Sequence, residues 1–215
     1  ITSAVANLSN SPFTASFVFL DPITGDIETG IVGFDSSDIL LTNASLTNFS
    51  GSAGSYSATI NPIQDGEVTI NVAAGVAQDA DGNFNTAANT FLLTYDKTKP
   101  TIEITAASSA SEAFIATISF SESILNFDMS HLNVTNAQLS EFNAISSSTF
   151  TVLVTPDNLG EVTLFILAGT ISDAAGNENV ASNVLKVSYD PSSLLLVSTL
   201  PETGSSVIND VSISF

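Results

Sequence analysis

One block of sequence occurs twice in this chain, and the repeat limits what the chain can fold into. The first copy runs from Pro62 to Asp96 and the second from Pro156 to Asp190, with Asp79 matched by Asp173. Each matched pair is 94 positions apart, so the two copies align without a gap. A repeat of this length is too long for a solenoid unit and suits one small domain. The sequence therefore predicts two tandem domains of the same fold.

Alternating apolar and polar residues predict that both domains are built from β-strands. Phe13–Phe19 and Phe114–Phe120 place apolar side chains at every second position, the period of a strand with one buried face. We expect a further strand from Ile39 to near Phe49, matched by one from Leu132 to near Phe142. Short strands at a spacing of roughly 8–12 residues, without helical periodicity between them, are typical of a β-sandwich. The predicted fold class is therefore all-β.

The repeat also sets the expected domain boundaries. We predict domain 1 over 1–96, a short Pro-containing linker over 97–101, domain 2 over 102–190, and the first two strands of a third, incomplete domain over 191–215. Pro100 fixes its own φ and biases Lys99 toward extended backbone, so the linker should be a short stiff joint. We expect the two domains to stand end to end in a rod cut from a longer chain.

The charge balance excludes several classes of partner. The chain has 22 acidic residues against three lysines and no arginine, which gives a formal net charge of −19. Such a chain repels phosphate backbones and anionic lipids, so we predict no nucleic-acid partner. No apolar run approaches the roughly 20 residues needed to span a bilayer, so membrane insertion is not predicted either. The same charge attracts divalent cations, although acidic side chains also keep a β-protein soluble.

Few residues are suited to catalysis. With one histidine, His131, and neither cysteine nor arginine, the Ser–His–Asp, Cys–His and arginine-clamp mechanisms are incomplete. Paired acids can cleave glycosides, but the acids here recur once per domain, which suits a structural role. We predict that the chain is not an enzyme.

Several motifs shared by both copies resemble the bacterial Ig-like domains found in tandem in very long surface proteins. They include Gly-Glu-Val-Thr at 66–69 and Asp-Ala-x-Gly-Asn-x-Asn at 79–85, each with its match in domain 2, and the Tyr-Asp pair that ends each domain. The resemblance covers both repeats almost end to end. It implies tandem Ig-like β-sandwiches and an extracellular, secreted or cell-surface location. One departure is His131, which stands where domain 1 has the acid Asp38.

Acidic and amide side chains in the loops are candidate metal ligands. In an Ig-like sandwich, the loop after the second strand and the loop before the last strand lie at the same end. The preceding domain delivers its last carboxylate to this end, so Asp96 is expected beside Glu122, Asp128 and Asp173. Clustered carboxylates repel unless a cation or protons intervene, and oxygen ligands suit Ca²⁺. We predict calcium ligands among Asp21, Asp35, Asp79, Asp81, Asn83, Asp96, Glu122, Asp128, Asp173 and Asn177.

An alternative interpretation of the same loops needs no metal. Gly82 and Gly176 can adopt positive φ in a tight turn, with the neighbouring Asp and Asn side chains bonded to nearby backbone.

The predicted function is that of spacer or stalk repeats in an adhesin-like bacterial protein, stiffened by calcium at domain junctions. The expected partners are neighbouring Ig-like domains of the same chain. The alternative is a glycan- or protein-binding module, possibly accessory to a carbohydrate-active enzyme, that binds through the loop 22–30, which domain 2 lacks. A spacer predicts a polar, mobile loop tip, whereas a binding module predicts an ordered concave surface.

Overall fold

Each repeat folds into two four-stranded β-sheets, in a computed structural model that describes residues 1–5 and 7–192. This confirms the prediction of two all-β sandwiches. In the described part of the chain, the helical segments are two 3₁₀ turns, Ser36–Asp38 and Met129–His131. Across the same residues, no helix has the length and apolar character to cross a membrane. The predicted third domain lies, apart from Pro191 and Ser192, outside the described residues.

The first repeat divides its strands between the two sheets in the order of an Ig-like sandwich. The strands are β1 (Thr2–Ser3), β2 (Leu8–Ser9), β3 (Phe13–Val18), β4 (Ile39–Thr42), β5 (Ala44–Ser52), β6 (Ser55–Pro62), β7 (Gly66–Val72) and β8 (Phe91–Tyr95). One sheet has the order β1-β3-β6-β5 and the other has the order β2-β8-β7-β4. Strands β2 and β8 are parallel, and the other pairs are antiparallel. The N-terminal segment thus contributes one short strand, β1 or β2, to the edge of each sheet.

The second repeat has the same plan. Its strands are β9 (Ile102–Thr105), β10 (Ser109–Ala110), β11 (Phe114–Phe120), β12 (Ile124–Leu125), β13 (Leu132–Thr135), β14 (Ala137–Ala144), β15 (Thr149–Pro156), β16 (Gly160–Ile166), β17 (Ser172–Asp173) and β18 (Leu185–Tyr189). The sheets have the orders β14-β15-β11-β9 and β10-β18-β16-β13, and β12 pairs with β17 in a small two-stranded ribbon.

The period-two pattern of the sequence becomes the buried face of each sheet. In β3, Phe13, Ala15 and Phe17 are buried, whereas Thr14 and Val18 are exposed. Both repeats contain aliphatic side chains that are at most 1% exposed, among them Ile60, Val68 and Ile70 in the first and Ile118, Val152, Val154, Val162, Leu164 and Ile166 in the second. Burying one such side chain contributes about 1.5–3 kcal/mol, so this apolar core is the main source of stability.

One strand expected in each repeat is in fact two. Asn43 and Asn136 have positive φ values of 56° and 58°, a conformation that Asn tolerates better than most residues. The chain turns there, so β4 joins one sheet and β5 the other. The Asn43 side chain donates to the Gln64 carbonyl at 2.7 Å, which holds the corner. The predicted single strands from Ile39 and from Leu132 were therefore wrong, since each chain segment turns at its Asn and the apolar alternation resumes one position out of phase after it.

Spatial contacts divide the chain into two compact units whose limits differ from those of the repeats. The first unit contains 1–102 together with two segments of the second repeat, 120–127 and 167–182. The second unit contains 103–119, 128–166 and the described residues from Asn183 onward. The linker thus belongs to the same unit as two loops of the second repeat. The domain boundaries at 96, 101 and 190 stay a prediction.

Candidate metal centre

An asparagine fixes the loop that precedes the last strand of the first repeat. Asn85 Oδ1 accepts hydrogen bonds from the backbone N–H groups of Val76 and Ala77, both at 2.9 Å. Its Nδ2 donates to the carbonyls of Ala73 at 2.7 Å and Thr86 at 2.8 Å. These four bonds use the full hydrogen-bonding capacity of the amide.

Asn179 makes the same set of contacts in the second repeat. Its Oδ1 accepts from the backbone of Thr170 and Ile171, and its Nδ2 donates to the carbonyls of Leu167 and Val180. The side chain is 2% exposed. The second Asn of the Asp-Ala-x-Gly-Asn-x-Asn motif is therefore a structural residue that shapes the loop.

The first Asp and Asn of the motif close a tight turn. Asp173 Oδ1 accepts from the Asn177 backbone N–H and its Oδ2 from Asn177 Nδ2, both at 2.8 Å. Asp79 and Asn83 repeat this arrangement with both distances at 2.9 Å. Gly176 has a φ of +90°, as the turn requires. The metal-free turn interpretation therefore describes the local geometry well.

In the second repeat, this turn also lies beside the linker. One carboxylate oxygen each from Asp96, Glu122 and Asp173 lie within 4.8 Å of one another. Asn177 Nδ2 donates to the Asp96 carbonyl at 2.9 Å, and the Val180 N–H donates to the Pro100 carbonyl at 3.0 Å. The linker is thus hydrogen-bonded to the loop that carries Asp173. We call Asp96, Glu122 and Asp173 the acidic cluster.

The acidic cluster is electrostatically unfavourable when all its members are ionised. Burial, followed by the negative charges of Asp173 and Asp96, raises the pKa of Glu122 above its ordinary value. Asp173 is 3% exposed, so water screens this repulsion poorly. A bound cation or a shared proton relieves such an arrangement.

The chemistry of the cluster suits a hard divalent cation. Carboxylate oxygens are the ligands that Ca²⁺ prefers, at six to eight positions that waters and carbonyls can complete. Asp96, Glu122 and Asp173 would supply at least three of these positions. The described residues contain no other group of three or more His, Cys, Asp or Glu ligand atoms as close together as this one.

Asp35 and Asp128, two of the predicted calcium ligands, have another role. Asp35 Oδ1 accepts from the Ser37 backbone at 2.7 Å, and Asp128 Oδ1 accepts from the Ser130 backbone at 2.8 Å. Each carboxylate therefore caps the N-terminus of a 3₁₀ turn. Hydrogen bonds from the side chain and then the backbone of Ser130 lower the pKa of Asp128. Asp128, expected beside Asp96, is not a member of the acidic cluster.

The same capping explains why His131 can replace an acid. In the first repeat, Asp38 Oδ2 accepts from the Asp35 backbone N–H at 2.8 Å. In the second, His131 Nδ1 lies 3.3 Å from the Asp128 backbone nitrogen and can accept its hydrogen. Both side chains complete a capping box, which needs an acceptor rather than a charge.

The linker is also held by Asp65, which the sequence did not point to. Asp65 Oδ1 accepts from the Lys97 backbone N–H at 2.7 Å, and its Oδ2 accepts from the Thr98 hydroxyl. These hydrogen bonds lower the pKa of Asp65. A comparison of the repeats overlooks this residue because Leu159 stands at the matching position. Asp65 could have been identified from the register of β7 and β8. Gly66 pairs with Tyr95, and this pairing places Asp65 beside the start of the linker.

The loop end of the first repeat forms a concave surface. A cavity of about 790 Å³ is lined by residues of the β3–β4 and β7–β8 loops, including Asp21, Asp79, Asp81, Asn83 and Phe84. The loop 22–30 is ordered by hydrogen bonds from the backbone of Ile23 and Thr24 to Asp21 Oδ1. It nevertheless presents an apolar tip, because Ile23 is 92% exposed.

The chain is similar to several solved structures. A structure of InvD from Yersinia pseudotuberculosis is 13% identical, with a TM-score of 0.43 over 93% of this chain and 59% of InvD. A crystal structure of invasin, a bacterial integrin-binding protein, is 14% identical, with a TM-score of 0.31 over 88% of this chain and 38% of invasin. Domains 5–6 of the S-layer protein SbsC are 11% identical, with a TM-score of 0.29 over 88% of this chain and 96% of that one.

The sequence comparisons are more decisive for classification. No curated protein matches the sequence. The chain spans about three fifths of the length of the solved InvD chain. The family model described as bacterial Ig-like domain matches twice, over residues 4–95 and 96–189. The chain therefore belongs to the bacterial Ig-like domain family, of which it contains two copies in tandem.

Proposed function

We propose that the chain supplies spacer repeats to a secreted or cell-surface bacterial protein of the adhesin type, and that Ca²⁺ in the acidic cluster stiffens the linker. One observation supports the cation: three carboxylates, that of Asp96 directly before the linker and those of Glu122 and Asp173 in the second repeat, each bring one oxygen within 4.8 Å of the others. The tandem family membership supports the spacer role. A spacer needs no catalytic residues, and we propose none.

The mechanism follows from what the linker contacts. Without a cation, repulsion between Asp96, Glu122 and Asp173 opposes the hydrogen bonds that hold the linker. A cation coordinated by these carboxylates neutralises their repulsion. It also links the carboxylate of Asp96 to that of Asp173. The linker, with the proposed bounds 97–101, then has less freedom to bend, so the extension of the protein depends on calcium.

Thermal unfolding of the whole chain with Ca²⁺, with Mg²⁺ and with chelator tests this proposal. A ligand that binds only the folded state stabilises it by about 2.7 kcal/mol at a hundredfold excess over Kd. We expect Ca²⁺ to raise the unfolding midpoint and Mg²⁺ to raise it less, because Mg²⁺ demands a stricter octahedral geometry. Equal midpoints in Ca²⁺ and in chelator would overturn the calcium proposal and leave the spacer role.

The Glu122→Gln variant tests whether the effect of Ca²⁺ on the unfolding midpoint arises at the acidic cluster. Because the folded pKa of Glu122 is raised, its contribution to stability is present below the ordinary carboxyl pKa and is lost as pH rises through the folded pKa. In chelator at neutral pH, Glu122→Gln should therefore melt above the parent chain, and its response to Ca²⁺ should be smaller. Glu103→Gln, an equal charge change at an exposed position of β9, is the matched control and should leave the response intact.

A ligand-binding module is the second candidate, and one observation favours it. The loop 22–30 does not form a polar tip without structure: Asp21 holds it in place, and it borders the cavity of about 790 Å³. These contacts and the concave shape support a binding module.

A further inference from the structure

A strand near the start of each repeat lies beside the last strand and runs in the same direction. Strand β2 pairs with β8 in the first repeat, and β10 pairs with β18 in the second, both in parallel. The chain enters a parallel pair at one end and leaves it at the other. Tension along the chain therefore slides the two strands past each other and loads the hydrogen bonds between them together.

The bond at the exit of each pair is the same in both repeats. In the first, the Asp96 N–H donates to the Ser9 carbonyl at 3.0 Å. In the second, the Asp190 N–H donates to the Ala110 carbonyl, also at 3.0 Å. The repeats differ in how the chain is held directly beyond this bond.

Beyond the exit of the first repeat, Asp65 holds the next two residues. Its Oδ1 accepts from the Lys97 N–H at 2.7 Å, and its Oδ2 accepts from the Thr98 hydroxyl. Hydrogen bonds to an ionised carboxylate are roughly twice as strong as bonds between neutral groups. Tension from the linker reaches Thr98 and Lys97 before it reaches Asp96. Asp65 therefore takes part of the load that would otherwise fall on the end of β8.

The turn that carries Asp65 is itself tied to the body of the first repeat. Asn43 Nδ2 donates to the Gln64 carbonyl at 2.7 Å, and Asn43 Oδ1 accepts from the Gln64 N–H at 3.3 Å. The Asn43 carbonyl also accepts from the Ile63 N–H at 3.1 Å. Since Asn43 is the corner between β4 and β5, which belong to different sheets, the load on Asp65 passes to both sheets.

The second repeat has the same turn, held by the same kind of corner, but it cannot form the contact that Asp65 makes. Leu159 stands in place of Asp65, and Pro191 stands in place of Lys97. Leucine has no carboxylate and proline has no N–H, so both partners of the bond between Asp65 and Lys97 are missing. The difference between the repeats lies in the residue types themselves.

We propose that Asp65 is a mechanical strap, which lets the first repeat withstand a larger end-to-end force than the second. Under tension the second repeat unfolds first and lengthens the chain while the first repeat remains folded. The load itself rests on the proposed spacer role, since a stalk transmits the force between its two ends. The strap does not depend on calcium, because the bonds of Asp65 are made by the chain alone.

Force spectroscopy of the whole chain, pulled by its two ends in chelator, tests the proposal. The chain has no cysteine, so a cysteine added at each end gives a unique attachment. Forced unfolding follows the unfolding rate rather than the equilibrium free energy. We expect two rupture events at different forces. Asp65→Asn should bring the higher force close to the lower one and leave the lower force unchanged, because it weakens the bonds to Lys97 and Thr98.

A matched pair of core variants assigns the two events to the repeats. Val68 and Val162 are buried at the same position of β7 and β16. Val68→Ala should lower the force of the first repeat alone, and Val162→Ala that of the second alone, because each leaves a cavity in one core. Asp157→Asn makes the same charge change as Asp65→Asn at the turn of the second repeat and should alter neither force.

Equal forces for the two repeats, or a larger force for the second, overturn the proposal, as does an Asp65→Asn chain that ruptures like the parent. Urea unfolding separates a strap from a general contribution to stability. Asp65 is exposed, so Asp65→Asn should change the free energy of unfolding much less than Val68→Ala does. If it changes both the free energy and the force as much as Val68→Ala, Asp65 stabilises the fold and is not a strap. Because the force is measured in chelator, this failure is distinct from an absent calcium response in thermal unfolding.

Discussion

At the scale of single residues, Asn179 carries more of the stability than an uncharged loop residue normally does. It satisfies two backbone N–H groups and two carbonyls from a position that is 2% exposed. Removing the amide leaves buried backbone groups unpaired, each at a cost of about 1–3 kcal/mol. We expect Asn179→Ala to lower the free energy of unfolding by about 3 kcal/mol, measured by urea titration.

The first repeat and a surface residue provide the controls for this prediction. Asn85→Ala removes the same bonds from a partly exposed position and should cost less, because water can replace part of what is lost. Asn143→Ala removes one bond from an exposed side chain to the Glu141 carbonyl and should have little effect. If Asn179→Ala is no more harmful than Asn143→Ala, the loop does not depend on this amide.

At the scale of elements, the 3₁₀ turn that begins after Asp128 allows the two possible roles of this carboxylate, capping the turn and binding a metal, to be told apart. Ser130 lowers the pKa of Asp128, so the contribution of Asp128 to stability is present above the ordinary carboxyl pKa and is lost as pH falls through the folded pKa. We expect Asp128→Ala to destabilise the chain equally in Ca²⁺ and in chelator, and to weaken its loss of stability on acidification. Melting curves between pH 3 and pH 7, roughly the window of carboxyl titration, measure both effects. A calcium response that disappears with Asp128 would instead make this residue a ligand.

The elements also show how far sequence reasoning reaches. Long strands such as β3 and β11 were predicted because their alternation is uninterrupted. Two-residue strands such as β12 and β17 were not, since two residues cannot show a period. The corner between β4 and β5 was missed, although the alternation changes phase there, from Ile39 and Leu41 to Ala44 and Leu46.

Those residues of the candidate site that have a counterpart in the other repeat could be predicted from the sequence. Topology and the repeat offset together pointed to Asp96, Glu122 and Asp173, which the fold does bring together. Asp65 occurs in the first repeat alone, and its contact with the linker depends on the register of two strands rather than on a motif. Asp35 and Asp128 resemble ligands in sequence because a carboxylate that caps a turn and a carboxylate that binds a metal are the same residue type.

At the scale of the whole molecule, the scarcity of basic residues makes the linker open to a simple probe. Lys97, Lys99 and Lys186 are the three basic residues of the chain, and Pro100 follows Lys99, which disfavours tryptic cleavage there. Cleavage after Lys97 therefore reports opening of the linker, since the bond must leave its hydrogen-bonded position to enter a protease. When opening is fast relative to cleavage, the cleavage rate follows the population of the open form.

We expect trypsin to cut the chain at Lys97 slowly in Ca²⁺ and faster in chelator, because the proposed cation would add to the hydrogen bonds by which Asp65 holds the linker. Asp65→Asn weakens the bonds to the Lys97 N–H and the Thr98 hydroxyl and should accelerate the cut in both conditions. Asp157→Asn, an equal charge change at an exposed loop of the second repeat, should not. The cut at Lys186 in β18 serves as the internal reference, since it requires the second sandwich to open. If Ca²⁺ slows both cuts equally, the cation stabilises the whole fold and does not hold the linker in particular.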